Sequence, residues 1–213
     1  MKDFYPKLQD HLLARLMHPT WSGDGNEFSD EEHFKLVILN NRLFRHKVMR
    51  VNYTTYDLRR GQDSLNPRNH ANVMVLSRDE TTTDHPFEYA RIIGIFHVES
   101  LHNVPNASDI PTMQEVLWVR WFRVDGHYNG GFKKKRLHRV EFLPSSNPNA
   151  FGFLDPDEVI RGTHLIPAFH HGPTEELLSG LSVGRAEGEL DDWRYFYVNM
   201  YVIFIFNSKK ICI

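Results

Sequence analysis

Five closely spaced basic residues form the densest positive charge in the sequence, and their chemistry suits phosphate binding. Aromatic residues precede them at Tyr128 and Phe132, and His138 lies among them. Basic side chains neutralise phosphate charge and release counterions, while neighbouring aromatic rings can stack on exposed bases. The alternative is a solvated hairpin edge whose charges prevent aggregation. The residues predicted to contact phosphate are Lys133, Lys134, Lys135, Arg136 and Arg139.

A polar segment over residues 59–72 carries three more arginines. Gly61 and Pro67 predict a long loop there, and a loop of that length in a compact domain often binds a partner. The loop either joins the basic run in space or pairs with another protein. The arginines assigned to it are Arg59, Arg60 and Arg68.

Histidines and carboxylates in this sequence predict no reaction. The nearest histidine cluster fits neither the zinc patterns that combine Cys and His nor the helical His-Glu-x-x-His pair; it comprises His164, His170, His171 and Glu175. A two-metal site needs acids brought together from distant strands, whereas turns and a helix start account for the available ones: Asp57, Asp63, Asp155, Asp157 and Glu158. We expect no catalytic residue, no metal and no cofactor.

Composition excludes several classes of protein. With 25 basic and 27 acidic residues the net charge is -2, so only a local patch can attract a polyanion. The single cysteine, Cys212, excludes an internal disulfide and favours a reducing compartment. The amino terminus lacks the apolar stretch of a secretory signal, and the most apolar window is far shorter than the ~20 residues that span a bilayer. We expect an intracellular location and no membrane partner.

Two apolar runs, residues 89–98 and 116–124, predict the central strands because they are rich in β-branched and aromatic residues. The second run is apolar on both faces, so we expect it to be covered on both sides. Alternation along the first run predicts one shared core face, formed by Ala90, Ile92, Gly94, Phe96 and Val98.

Local patterns predict the elements around these strands. Leucines at four-residue spacing predict a helix over residues 3–17, and Ser29 with Glu32 has the spacing of a capping box. Two asparagines at 40 and 41 predict a β-hairpin over residues 36–48. A last helix is expected from residue 191, because its acids would complement a helix dipole.

Long sequence words resemble a block found in transposon-associated proteins of mushroom-forming fungi. The block is similar to the carboxy-terminal region of proteins from elements of the Plavaka and Kyakuja-Dileera-Zisupton type. The resemblance covers nearly the whole chain. The stretches that carry it include residues 51–68, 73–77, 89–97, 117–122, 150–156 and 164–169.

A second resemblance, to bromo-adjacent homology (BAH) domains, lies within that block. These domains are β-barrel modules of chromatin proteins. Four short words occur in the same order as in the domain: Tyr89-Ala90-Arg91-Ile92, Val119-Arg120-Trp121-Phe122, Val140-Glu141-Phe142-Leu143 and Val159-Ile160-Arg161-Gly162. The resemblance implies a partly open barrel and a nuclear setting.

Together these observations predict a mostly β (α+β) protein with short helices near both termini. The predicted organisation is a helical extension over residues 1–35, a BAH-like barrel over 36–170, and a mobile loop with a helix or strand over 171–213. The expected function is a non-catalytic module of a fungal transposon protein that docks on chromatin or nucleic acid. A histone tail or the transposase catalytic domain is a possible partner. The alternatives are a protein-interaction module without nucleic-acid binding and, third, a hydrolase or nuclease with an unrecognised site.

Overall fold

A computed structural model describes residues 3–17, 28–55, 59–77, 85–105, 110–174, 192–199 and 205–212. These residues are mostly β, as predicted, with two α-helices near the amino end. Neither described helix has the length and apolar character that a bilayer crossing requires. The elements are α1 (Phe4–Met17), α2 (Asp30–His33), β1 (Leu36–Ile38), β2 (Phe44–His46), β3 (Met49–Thr55), β4 (Arg60–Leu65), β5 (Asn72–Leu76), β6 (Phe87–His102), β7 (Thr112–Val124), β8 (Arg139–Phe142), β9 (Phe151–Leu154), β10 (Arg161–Gly162), β11 (Leu165–Pro167), β12 (Phe196–Val198) and β13 (Ile205–Cys212).

The two long strands β6 and β7 form an antiparallel ladder at the centre of the main sheet. The other edge of β6 pairs in turn with β5, β2 and β1, while β7 also pairs with β9 and β8. The sheet order is β10-β5-β6-β7-β8-β12-β11, and a second sheet has the order β13-β3-β4. The residues predicted as central strands therefore connect most of the fold.

An extra residue in β6 changes which side chains face the core. The register shifts between Ile92 and Gly94, which is a β-bulge. Ile92 and Ile95 share the core between the two sheets, whereas Val98 lies in the core beneath α1. The prediction of one shared face from Ala90 to Val98 is therefore wrong beyond Gly94, because a single inserted residue reverses the alternation.

The helix α1 covers the face of β7 opposite the core between the sheets. Leu12 and Leu13 are fully buried there with Trp118 and Phe153. At the end of the helix, Arg15 donates to the Glu115 carbonyl at 2.6 Å and pairs with Asp155 at 3.0 Å. The expectation that β7 is covered on both faces is thus confirmed.

The amino-terminal patterns have mixed outcomes. The helix over residues 3–17 and the capping box at Ser29 and Glu32 are confirmed. Asn40 and Asn41 do make a left-handed turn, with φ of 53° and 50°. The hairpin prediction is wrong, however, because β1 and β2 do not pair with each other. Both pair with β6, at 100–102 and 95–97 respectively.

Two further predictions are corrected by long-range pairing. Residues 60–65 form strand β4, paired with β3, instead of part of a long loop; the chain turns only at residues 66–70 before β5. Near the carboxyl end, Phe196–Val198 is a strand, which is one of the two forms expected for this segment, and the helix expected from residue 191 does not form over the described residues 192–199. Phe196 and Val198 are buried and Tyr197 between them is not, and β8 and β11 provide partners on both sides.

Candidate nucleic-acid interface

The connection between β7 and β8 carries the predicted basic run. A 3₁₀ turn spans Phe132–Lys134, and an isolated bridge joins Gly131 to Arg136 across the turn. The Gly131 N–H donates to the Arg136 carbonyl at 2.8 Å, and Lys134 N–H donates to the Gly131 carbonyl at 3.0 Å. We call residues 133–136 the basic loop; all four of its side chains are exposed. The backbone of this loop is closed on itself while its cations face water.

Two glycines allow the chain to enter this turn. A Cβ on Gly130 would lie 2.7 Å from the Leu137 carbonyl oxygen, which is backbone and cannot move aside. Gly131 has a φ of +112°, a conformation that other residues rarely adopt. The basic loop therefore requires the two glycines, Gly130 and Gly131, that precede its lysines.

Replacing Gly130 by alanine will distort the basic loop, because the new methyl group collides with backbone. We expect Gly130→Ala to lower the free energy of unfolding by about 1–3 kcal/mol. The matched control is Gly126→Ala in the same connection, where a Cβ meets nothing within 4 Å and no change is expected. Urea unfolding of both variants checks this. Equal stability of the two variants would contradict the proposed backbone constraint.

An ion pair closes the base of the same connection. Asp125 and Arg139 lie at its two ends, with Arg139 Nη2 2.6 Å and Nε 2.7 Å from Asp125 Oδ2. The guanidinium lies 4.3 Å from the Tyr128 ring centre and 4.5 Å from that of Tyr195, and its Nη1 donates to His171 Nε2 at 2.8 Å. Arg139, predicted to bind phosphate, is thus a half-buried positioning residue for the loop.

The pKa values around this ion pair follow from its geometry. Burial alone would raise the pKa of Asp125, but hydrogen bonds from the His127 backbone N–H and from Arg139 hold that pKa below its ordinary value. Loss of hydration and the charge of Arg139 lower the pKa of His171. Neutral His171 can accept the Arg139 hydrogen bond. At neutral pH the charged groups of this cluster are therefore Asp125 and Arg139, which pair with each other.

Two histidine rings in contact, tilted by 43° relative to each other, lie against the basic loop. The ring centres of His85 and His138 are 4.0 Å apart, and a Cβ on Gly131 would lie 3.1 Å from the His138 ring. Burial, reinforced by His138, lowers the pKa of His85 to about 4. His85 is therefore uncharged at neutral pH. Burial also raises the pKa of the neighbouring Tyr89 hydroxyl.

Acid will weaken the fold through His85. The pKa of a histidine in the unfolded chain is about 6.5, so the unfolded state binds a proton more readily than the fold below that pH. The free energy of unfolding is therefore unaffected by the titration of His85 above about pH 6.5, and it falls as the pH decreases from 6.5 towards 4. We expect a loss on the order of 2 kcal/mol at pH 4.5, after allowing for the partial exposure of the ring.

Urea unfolding at pH 7 and 4.5 measures this loss. The variant His85→Gln lacks the titrating group and is expected to lose about 2 kcal/mol less than the parent protein between the two pH values. His164→Gln, at an exposed position, is the matched control and is expected to behave as the parent. An undiminished loss in His85→Gln would exclude His85 as the source.

The remaining predicted interface residues lie elsewhere in the fold. Arg59 and Arg60 lie at the start of β4, which packs against β3 and β10, and Arg68 lies in the turn before β5. The basic loop joins β7 to β8, so the described contacts do not bring these arginines into the loop. Tyr128 is half-buried against Arg139, and the side chain of Phe132 lies outside the described residues.

Two of the acids weighed for catalysis have structural partners. Asp63 binds Arg161 at 3.3 Å and the Gly162 N–H at 2.9 Å, and Asp155 caps the 3₁₀ turn Pro156–Glu158. Asp57 and Glu175 lie outside the described residues. Within the described ranges, no group of three His, Cys, Asp or Glu side chains is arranged to hold a metal ion.

A second concentration of charge was missed in the sequence. Residues 34–55 contain no aspartate or glutamate but five basic residues, which lie just before β1, on β2, on β3 and in the turns between these strands. The signal that would have found them is the absence of acids across the whole segment, since no two of these cations are adjacent. Their arrangement is considered below.

Comparison of the chain with protein-family models, curated proteins and solved structures gives no match in any of the three. The geometry of the described residues is therefore the basis for assigning a function.

Proposed function

We propose that this chain is a non-catalytic binding module that docks on nucleic acid through the basic loop. The observation that carries the proposal is the geometry of residues 133–136, four consecutive exposed cations on a turn closed by the Gly131–Arg136 bridge. Because the backbone is already ordered, binding does not require the loop to fold first. Asp125 and Arg139 hold the two ends of the connection together.

Phosphate is the ligand chemistry that this loop fits best. The cations are contiguous, so they can follow a backbone with a charge every few ångströms, and each phosphate neutralised releases counterions. The whole chain carries a net charge of -2 and does not attract polyanions generally. Binding is therefore expected to be local to the loop and strongly dependent on salt.

The proposed setting is chromatin, in a transposon-derived nuclear protein with a partly open barrel like that of BAH domains. The order of the resembling words supports this proposal. They lie on β6, β7 and β8, which are neighbours in the main sheet, and on β10 with the residues before it. The sheet β13-β3-β4 packs on this sheet through the core that contains Met49, Val51 and Leu65, an arrangement compatible with such a barrel.

A fluorescence-polarisation titration tests the proposal. Labelled duplex and single-stranded DNA are titrated with the protein at low and at physiological salt. We expect binding at low salt that falls steeply as salt rises. Absence of binding at low salt to either probe would overturn the proposal.

A protein-interaction module is the second candidate, and a specific surface favours it. Large apolar side chains are exposed at the far end of the β6–β7 ladder, where β1 pairs with β6: Phe34 at 87%, Ile110 at 76% and Met113 at 59%. A histone tail or a transposase catalytic domain would bind there. Binding of such a partner would not respond to substitution of the basic loop.

A further inference from the structure

A second basic surface lies along the free edge of the main sheet. We call it the edge surface; its cations are Lys35, Arg42, Arg45, Lys47 and Arg50, and all five are exposed. Strands β1 and β2 pair with β6 on one side, and within the described ranges no strand pairs with their outer side. Arg50 alternates with the buried Met49 and Val51 on β3, so it lies on the outward side of that strand. Arg42, Arg45 and Lys47 therefore lie along this edge, and Arg50 lies on the outward face of the second sheet.

An exposed aromatic ring, that of Phe44, lies on β2, on the opposite face of the strand from Arg45. Phe44 stacks on His97 with ring centres 4.7 Å apart and remains 42% exposed. A hydrogen bond of 2.6 Å between His46 Nε2 and His97 Nδ1 fixes the ring beneath it. Charges alone are enough to prevent edge-to-edge aggregation, so that role does not explain an exposed phenylalanine on a rigid support. Cations around an aromatic platform are what nucleic-acid strands bind.

The edge surface and the basic loop lie at opposite ends of the β6–β7 ladder. Strand β2 pairs with residues 95–97 of β6, and His97 lies opposite Glu115 of β7, whereas the basic loop follows the end of β7 at Val124. At about 3.3 Å per residue these positions are roughly 30 Å apart along the strand. A short nucleic-acid segment bound at one surface therefore does not reach the other.

From this arrangement we infer that the edge surface binds a second segment of nucleic acid, so that one molecule of the protein bridges two. The inference rests on the proposed function, because the basic loop supplies the first contact. Residues 34–55 contain no acid and the facing part of β6 contributes Glu99, whereas Glu32 of α2 lies near Lys35, so the uncompensated charge is that of Arg42, Arg45, Lys47 and Arg50.

The inference is tested by asking whether the protein can link two separate DNA molecules. A hairpin duplex of about eight base pairs, shorter than the separation of the two surfaces, is fixed to beads, and a fluorescent copy is offered in solution with the protein. The test variant is Arg42→Glu/Lys47→Glu/Arg50→Glu, and its charge-preserving control is Arg42→Lys/Lys47→Arg/Arg50→Lys. Polarisation with the same hairpin reports binding at a single site.

We expect the parent protein and the control to bring fluorescent DNA to the beads. The test variant should lose about tenfold or more of this capture while still binding one hairpin through the basic loop, which also shows that it is folded. The same three positions changed to glutamine should give a smaller loss in the same direction.

Other outcomes overturn the inference in distinguishable ways. Capture by the test variant equal to that of the parent would assign bridging to pairs of molecules that each use the basic loop. If the parent protein binds one hairpin in solution but brings no fluorescent DNA to the beads, the edge surface is not a second binding site, whereas the proposed function is unaffected. Displacement of both hairpins by polyglutamate of equal charge would make the edge a general polyanion-binding surface without preference for nucleic acid, and absence of any binding would overturn both proposals.

Discussion

Replacing Lys133, Lys134, Lys135 and Arg136 by glutamate is expected to lower the affinity for duplex DNA by about 100-fold at low salt. Four phosphate contacts are lost together, and four negative charges now repel the backbone. The fold should be retained, since all four side chains are exposed; Lys135 has a left-handed φ of 52°, but glutamate there replaces one non-glycine residue by another. Polarisation titrations measure the affinity, and urea unfolding checks the fold.

The matched control exchanges the same residues without changing charge, as Lys133→Arg, Lys134→Arg, Lys135→Arg and Arg136→Lys. Its affinity should stay within a few-fold of the parent, because arginine and lysine both neutralise phosphate. Equal affinities of the glutamate variant and the parent would exclude the basic loop as the binding surface.

Removing the carboxylate of Asp125 is expected to cause a large loss of stability. The Asp125 side chain is 3% exposed and that of Arg139 is 13% exposed, so Asp125→Ala leaves a largely buried guanidinium without its partner. We expect the free energy of unfolding to fall by about 3 kcal/mol. Urea unfolding at neutral pH measures the change.

The double variant Asp125→Ala/Arg139→Met is the control for this mechanism. Removing the cation as well should restore part of the lost stability, because methionine fills the space without an uncompensated charge. Two results would contradict a stabilising role of this ion pair. One is a loss in the free energy of unfolding of less than about 0.5 kcal/mol for Asp125→Ala; the other is a loss for the double variant that equals the sum of the losses of the two single variants.

Elements specified by nearby residues were predictable from the sequence. The helix α1, the cap at Ser29 and the turn at Asn40 depend on residues within a few positions of one another, and each forms as expected. The choice of strand partners was not predictable in the same way. β1 and β2 pair with β6, far along the chain, in place of each other, and no local pattern records that competition.

Strand β4 shows how a polar strand escapes sequence reasoning. Its side chains alternate between exposed and covered, but only Leu65 is buried, so no apolar period marks it. Gly61 looks like a loop residue, yet it is a glycine because the ring of Tyr53 on β3 occupies the space of a Cβ, at 2.6 Å. Such packing between strands is visible only in three dimensions.

The basic loop was predictable because its cations are adjacent in sequence. The ion pair that Arg139 makes was not predictable in this way. Arg139 looks like one more cation, but its charge is satisfied by Asp125 at the other end of the connection. The edge surface was missed for the opposite reason. Its cations are separated along the chain and lie just before β1, on β2, on β3 and in the turns between these strands.

The salt dependence of DNA affinity is the most direct test of phosphate binding by the basic loop. The variant Lys133→Gln, Lys134→Gln, Lys135→Gln and Arg136→Gln removes the charges without adding repulsion. The slope of log affinity against log salt should be smaller in magnitude than that of the parent by about 3 to 4, since each duplex phosphate contact contributes about 0.9. Parallel slopes for the two proteins would show that the loop makes no phosphate contacts and would contradict the proposed function.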